Sequence, residues 1–142
     1  MAPLIETHDL TRHFGGLRAV DGVDFKLEAG EIHGLIGPNG AGKTTFVSLL
    51  SGRLPAQSGT ILLGGEDITR LPAHARVRKG IAYTFQITSI FPRLTVFDNV
   101  ALAVQSQGAS DLTARTRAAL ARVGLSGLEE QEAQTLSYGH QR

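Results

Sequence analysis

The chain of 142 residues contains no cysteine, few aromatic residues (6%) and almost no net charge (+1). Without cysteine it forms neither a disulfide framework nor a thiolate metal site. The near-zero net charge excludes the strongly basic surface on which many proteins bind nucleic acid. Its five histidines show no metal-ligand spacing. We therefore expect no nucleic-acid partner and no histidine-based metal centre.

Long hydrophobic runs are also missing from the sequence. No apolar stretch approaches the roughly 20 residues that a membrane-spanning helix needs, and the N-terminus "MAPLIETHDL" has no basic segment followed by a long apolar one. Overall composition is that of a globular domain, with 42% hydrophobic and 19% charged residues. A membrane role would therefore depend on a partner subunit.

The first part of the chain is rich in predicted strands. Apolar and polar residues alternate in "VDFKLE" (residues 23–28), which predicts a half-buried strand, and "IHGLI" (32–36) predicts a more buried one. Short strands are also predicted at "TILL" (60–63) and "IAYTF" (81–85). This part of the chain therefore favours a β layer.

Helices are predicted between and after these strands. The segment "TTFVSLLSGR" places Phe46 and Leu49 on one face of a predicted helix, with Gly52 as its stop. The segment "PAHARVR" begins with a proline, a residue favoured at the first position of a helix. Beyond residue 88 the pattern becomes entirely helical. Thr95 and Asp98 have the spacing of a capping box, and a second helix ends at Gly124.

The stretch "GPNGAGKTT" lies between a predicted strand and a predicted helix. Gly37, Gly42, Lys43 and Thr44 satisfy the pattern G-x-x-x-x-G-K-[ST], which is typical of a phosphate-binding loop in this context. The glycines permit unusual backbone conformations and close approach, so that successive N–H groups face an anion. The following helix adds its positive dipole end. The alternative is a glycine-rich turn with a solvated lysine.

The same stretch predicts how a nucleoside triphosphate and its metal would be held. Lys43 is expected to bind β- and γ-phosphate oxygens, and the Thr44 hydroxyl to bind Mg²⁺. The complete set predicted to bind ATP from this loop is Gly37, Pro38, Asn39, Gly40, Ala41, Gly42, Lys43, Thr44 and Thr45.

Four segments together resemble the ATP-binding subunit of ABC transporters. In order they are "LTRHFGGLRAVDGVDFKLEAGEIHGLIGPNGAGKTT", "YTFQ", "LTVFDNVALA" and "LSYGHQR", and the resemblance covers nearly the whole chain. It is strongest to the importers of branched-chain amino acids. The implied fold is α/β: a P-loop NTPase domain of the ABC type, with an N-terminal antiparallel β layer and a helical insertion.

The resemblance implies roles for residues outside the loop. Phe14 corresponds to the aromatic residue that stacks on adenine, although taken alone it could be an ordinary core phenylalanine. Gln86 corresponds to the glutamine that contacts Mg²⁺ and the attacking water, although a lone glutamine at a strand end is usually solvated. An amide suits both contacts because it carries an acceptor oxygen and donor hydrogens.

A second cluster, "LSYG", resembles the family's signature motif. Through this resemblance Ser137 and Gly139 are expected to act catalytically, closing over the γ-phosphate that a second subunit holds in its own loop. A hydroxyl, a backbone N–H and a helix N-terminus all suit anionic oxygens. Two ATPase subunits, identical or different, would then pair head to tail. Without the family context, the serine is merely a helix N-cap.

The expected layout is one partial ABC ATPase domain over residues 1–142. Residues 1–87 would form the β layer and P-loop core, 88–135 the helical insertion, and 136–142 the start of the signature motif. The family's metal-binding aspartate, general-base glutamate and switch histidine follow the signature, so we expect a domain that is incomplete at its C-terminus. Such a piece is expected to bind nucleotide weakly without hydrolysing it.

The function implied by the resemblance is ATP binding and energy coupling in an ABC importer, and the expected solute is a branched-chain amino acid. The full-length protein is expected to hydrolyse ATP. The expected cofactors are ATP and Mg²⁺. Integral-membrane permease subunits are expected to dock on Ile87–Val104. Such docking would place the protein peripherally at the cytoplasmic face of the membrane. The alternative role of this segment is ordinary packing of the helical insertion. A soluble, non-transport ABC ATPase and a nucleotide-binding remnant without catalysis remain as alternative functions.

Overall fold

The computed structural model describes residues 3–85, 87 and 89–141. The chain divides into two compact units, residues 1–83 and 84–142. The strands are β1 (Ile5–Phe14), β2 (Leu17–Leu27), β3 (Ser58–Leu63) and β4 (Glu66–Asp67). The α-helices are α1 (Lys43–Leu50), α2 (Ala73–Arg78), α3 (Val96–Ser106), α4 (Leu112–Arg122) and α5 (Tyr138–Gln141), with a 3-10 turn at Ala133–Thr135. No helix in this described part is both long and apolar enough to cross a membrane.

The first unit is built on an antiparallel sheet. Its strand order is β2-β1-β3-β4, and β1 pairs with both β2 and β3. This arrangement confirms the predicted N-terminal antiparallel layer. Helix α1 packs on it and completes one apolar core, whose members are all at most 6% exposed: Leu10, Val20, Phe46, Leu49, Ile61 and Ile68.

Arg76 joins helix α2 to the end of helix α1. Its guanidinium donates hydrogen bonds to the carbonyls of Leu49 and Leu50 at 2.8 and 2.9 Å, and to those of Leu71 and Thr69 at 2.9 and 2.8 Å. Burial lowers the pKa of this guanidinium, an effect that the charge of Asp67 opposes. The last carbonyls of a helix have no partner within the helix, and Arg76 supplies one.

Two predicted strands do not form. Residues 32–36 and 81–85 form no ladder pairing within the described part of the chain. Ile32 and Ile36 are 99% and 98% exposed. A strand is held by the hydrogen bonds of its neighbours, and an apolar pattern alone does not supply them. The prediction of strands here was wrong for that reason.

The second unit is helical, as predicted after residue 88. The Thr95 side chain accepts a hydrogen bond from the Asp98 N–H at 3.0 Å, which confirms that Thr95 caps α3. Helix α4 ends at Arg122, two residues before Gly124, which has a positive φ of 72°, as its stop position predicts. The buried apolar residues in the described part of the second unit are Val96, Ala101, Leu120 and Ala133. The subdivision at residues 87, 135 and 142 stays a prediction.

Candidate functional site

The glycine loop of residues 37–42 runs directly into helix α1. Gly42 is the N-cap of the helix, with φ 84° and ψ 2°, and no side chain caps the helix there. The first N–H groups of α1 are therefore left without a side-chain acceptor. The helix N-terminus also carries partial positive charge. Loop and helix together form the kind of surface that binds an anion.

Gly42 is required by packing as well as by its φ. A Cβ built on Gly42 would overlap the carbonyl oxygen of Ala19 in strand β2. Gly40 has a similar φ of 83° but only open space around the position of a Cβ. The expectation that Gly37 has such a backbone conformation was wrong: its φ is not in the left-handed region, and a Cβ there would lie 3.3 Å from that of Ala41.

The Lys43 ammonium folds back over the loop. Its Nζ donates hydrogen bonds to the carbonyl oxygens of Gly37 at 2.6 Å and Pro38 at 2.7 Å. Both acceptors are neutral, and among the described residues no carboxylate forms a salt bridge with Lys43. The loop therefore holds a positive charge that is not neutralised by an acidic side chain.

A cavity of about 360 Å³ lies beside the loop, between it and strand β2. Its lining includes Val20, Phe25, Phe46 and Lys43, so that mostly apolar walls meet one ammonium group. Asp21 also lines the cavity, and the hydrogen bond from His13 at 2.8 Å, assisted by Arg18, lowers its pKa. The combination of apolar walls and a few polar groups is typical of a small-molecule site.

The other loop residues and Phe14 also belong to the first unit. Thr44 is exposed and Thr45 half-buried in the first turn of α1, while Asn39 lies in the turn before it. Phe14 is the last residue of β1, next to the hairpin turn, and is 43% exposed. The structure thus brings Gly37 through Thr45 into one loop and first helical turn, and leaves the Phe14 ring accessible.

Two of the remaining predicted site residues belong to the second unit. Ser137 and Gly139 lie in the second unit, where the Ser137 carbonyl accepts hydrogen bonds from the N–H groups of His140 and Gln141 at 3.0 and 3.1 Å. Gly139 lies inside the short helix α5. Gln86 lies outside the described residues. The roles of all three stay predictions.

Asn99 is a residue that the sequence analysis missed. Its Oδ1 accepts a hydrogen bond from the Phe91 N–H at 2.8 Å, and its Nδ2 donates to the carbonyls of Phe91 and Thr95 at 3.0 and 2.9 Å. One side chain therefore fixes the turn that carries Phe91, which is 61% exposed. The only sequence signal was an amide four residues into a helix that follows a turn.

The comparisons with known proteins agree with this geometry. Residues 20–142 match the family model described as "ABC transporter". The chain is 44% identical over 109 residues to the lipopolysaccharide export ATP-binding protein LptB of Escherichia coli K12, a match that covers 77% of the chain and 44% of LptB. It is 38% identical over 157 residues to the branched-chain amino-acid transport ATP-binding protein BraF of Pseudomonas aeruginosa, covering 99% of the chain and 62% of BraF.

A solved structure shows the same fold. The ADP conformation of MJ1267, an ATP-binding cassette of an ABC transporter, superposes with a TM-score of 0.85 at 26% identity, covering 99% of the chain and 61% of MJ1267. The chain therefore spans between about two-fifths and two-thirds of the length of these relatives.

Proposed function

Because the chain belongs to the ABC transporter family, we propose that it binds ATP through residues 37–45 and couples ATP hydrolysis to transport. The observation that carries this proposal is the loop itself. Helix α1 begins at Lys43, whose ammonium lies 2.6 and 2.7 Å from the carbonyl oxygens of Gly37 and Pro38. Among the described residues, no acidic side chain forms a salt bridge with this ammonium. A triphosphate offers that ammonium stronger acceptors than neutral carbonyls.

Binding would proceed by exchange of hydrogen bonds. The β- and γ-phosphate oxygens would replace the two carbonyls as acceptors from Lys43. The backbone N–H groups of Gly40 through Thr45 would supply further donors, because they follow the turn into the helix N-terminus.

Mg²⁺ fits the donor set of this site. Mg²⁺ prefers few protein ligands together with phosphate oxygens and water. Among the described residues no group of three or more carboxylate, histidine or cysteine side chains could hold a metal ion by itself, whereas the Thr44 hydroxyl is exposed in the first turn of α1. Thr44 would hold the ion with the nucleotide, and Gln86 is proposed as a further ligand. The bound ion would neutralise charge that develops on the phosphates.

The catalytic arrangement is proposed to need two subunits. Ser137 and Gly139 of one subunit would contact the γ-phosphate held by the loop of the other, in a head-to-tail pair. Phe14 would stack on the base, and Gln86 would orient the attacking water. Phosphoryl transfer to water depends on positioning and charge stabilisation, which these groups would provide.

Substitution of Lys43 tests nucleotide binding directly. Isothermal titration with Mg·ATP is expected to show that Lys43→Met weakens binding at least about 100-fold, because two charge-assisted hydrogen bonds are lost. The matched control is Lys79→Met, since Lys79 pairs with Glu66 at 2.7 Å away from the loop. Equal ATP affinity for Lys43→Met and the control would contradict the proposal.

We further propose that the transported solute is a branched-chain amino acid. The similarity to BraF extends over 99% of the chain, including the helical second unit. Deletion of the encoding gene is then expected to reduce cellular uptake of labelled leucine, and reintroduction of the intact gene to restore it. Unchanged leucine uptake would contradict this assignment.

Lipopolysaccharide export is the second candidate, because identity to LptB is higher at 44% although it covers only 77% of the chain. In that case deletion of the gene would leave leucine uptake intact and reduce lipopolysaccharide export. A soluble ATPase without transport, or a remnant that binds nucleotide without hydrolysing it, would leave both processes unchanged.

The permease subunits are proposed to dock on Ile87–Val104 at the cytoplasmic face of the membrane. Two apolar residues of this segment are well exposed, Ile87 at 80% and Phe91 at 61%. Asn99 holds the turn of Phe91 in one conformation through its three hydrogen bonds to Phe91 and Thr95. Fixed apolar side chains on a surface are suited to a protein–protein interface.

A further inference from the structure

The guanidinium of Arg12 lies over the ring of Phe14. Its central carbon is 5.0 Å from the ring centroid, within the range of a cation–π contact. The same group donates a hydrogen bond through Nη1 to the Pro55 carbonyl at 3.3 Å. The Arg12 side chain is therefore held at two points, one on the loop before β3 and one on the aromatic ring.

One polar atom of Arg12 lacks a hydrogen-bond partner in this stacked orientation. Its Nε is buried and has no hydrogen-bond partner among the described residues. Leaving a buried N–H without an acceptor is unfavourable, so the contacts of the rest of the side chain must compensate. The cation–π contact with Phe14 is one such contact.

The Phe14 ring contacts Arg12 and is still partly exposed. Its backbone pairs with Leu17 across the tight hairpin of β1 and β2, which leaves only the side-chain torsions free. Arg12 covers one side of the ring, yet Phe14 remains 43% exposed. An open aromatic face that is backed by a cation can receive a flat, polarisable ring.

We propose that Arg12 is a positioning residue for the nucleotide base: it fixes the Phe14 ring so that the open face stacks on the base, giving a guanidinium–phenyl–base stack. This inference rests on the proposed function, since it requires a nucleotide in the loop. Arg12 acts through Phe14 and not through the phosphates. Its contribution should therefore appear only with ligands that carry a base.

The test compares ATP with inorganic tripolyphosphate, which lacks the base and ribose, by titration of the purified protein with Mg²⁺ present. Arg12→Met is expected to weaken ATP about two- to fivefold, the factor that corresponds to a cation–π contact at an exposed site, and to leave tripolyphosphate unchanged. Arg12→Lys keeps the cation and should restore much of the loss. The charge control is Lys26→Met on the far part of the same hairpin, where Lys26 is 66% exposed, and it should leave both ligands unchanged.

A double substitution separates stacking from folding. In a Phe14→Leu protein, Arg12→Met should have no further effect on ATP, because the ring through which it acts is gone. The proposal is overturned if Arg12→Met weakens both ligands equally, which would indicate charge or misfolding, or if it weakens neither. If Lys43→Met leaves the affinity for both ligands unchanged, the proposed phosphate site is wrong. If Lys43→Met weakens the binding of both ligands and Arg12→Met weakens the binding of neither, only the proposed stack on Phe14 is wrong.

Discussion

Two glycines of the loop have nearly the same backbone conformation but different surroundings. Gly40 and Gly42 have φ values of 83° and 84°. Any side chain pays the steric cost of the left-handed region, roughly 1 kcal/mol or more. Only at Gly42 would a Cβ also overlap the main chain of a neighbouring strand, at the carbonyl of Ala19. The second glycine of the pattern is therefore a packing requirement of the fold as well as a feature of phosphate binding.

This difference gives a paired prediction at the scale of one atom. Gly40→Ala should lower the free energy of unfolding by about 1 kcal/mol, the cost of its φ alone. Gly42→Ala should lower it by several times as much, because α1 or β2 must move. Urea unfolding of the nucleotide-free protein measures both. Equal losses would show that the contact with Ala19 contributes nothing to stability.

Motif recognition predicted the loop residues but not the partners that hold them. The sequence predicted a helix from Thr44, and α1 begins one residue earlier, at Lys43. The contact of Gly42 with Ala19 joins residues far apart in sequence, and so does the hydrogen bond from Arg12 to the Pro55 carbonyl. Such contacts depend on strand register, which bulges in β1 shift at three places, and no local pattern encodes them.

At the scale of elements, Arg76 connects α1, α2 and the loop that precedes α2. It is 1% exposed and donates to four carbonyls. Its Nε would also lie 2.8 Å from a Cβ added at Gly52, two residues beyond the end of α1. The sequence indicated a short helix with several arginines, and nothing in that spacing distinguished the buried one from those on the surface.

Removal of the Arg76 guanidinium is expected to destabilise the first unit. Arg76→Met should lower the free energy of unfolding by roughly 3 kcal/mol or more, because several buried carbonyls lose a charged donor. Arg78→Met on the same helix is the control, since Arg78 is exposed, and it should change stability by less than about 0.5 kcal/mol. A thermal or urea melt compares the two; similar melting temperatures would contradict the assigned role.

The strands at 32–36 and 81–85 mark the limit of prediction from periodicity. Their residues are apolar enough to be strands, but ladder partners are lacking within the described residues. By contrast, the hairpin of β1 and β2 needs only its own turn at residues 15–16, so local sequence was sufficient for it. Helix α3 was likewise predictable because its cap, Thr95, lies in the same segment.

At the scale of the whole molecule, the segment around residues 32–36 exposes an apolar surface on the first unit. Ile32 and Ile36 are almost fully exposed, and Leu35 is 43% exposed. Exposed apolar surface next to an unpaired backbone edge favours association. These residues lie in sequence between strand β2 and the phosphate-binding loop, so a molecule that covers this surface would also affect the loop.

Polar substitutions should reduce this surface without unfolding the chain. The double variant Ile32→Ser and Ile36→Ser is expected to bind less of a hydrophobic dye and to associate less in light scattering, with the melting temperature nearly unchanged. Ile61→Ser is the opposite control, because Ile61 is fully buried in the core, and it should melt at a clearly lower temperature. Unchanged dye binding in the double variant would show that the exposed surface lies elsewhere.

A crystal structure of the protein with Mg²⁺ and a non-hydrolysable ATP analogue would show whether residues 37–45 bind the triphosphate. We expect the Lys43 ammonium to leave the carbonyls of Gly37 and Pro38 and to lie about 3 Å from β- and γ-phosphate oxygens, with the loop N–H groups facing the same phosphates. A Lys43 that still bonds those two carbonyls, with the triphosphate bound elsewhere or absent, would contradict it.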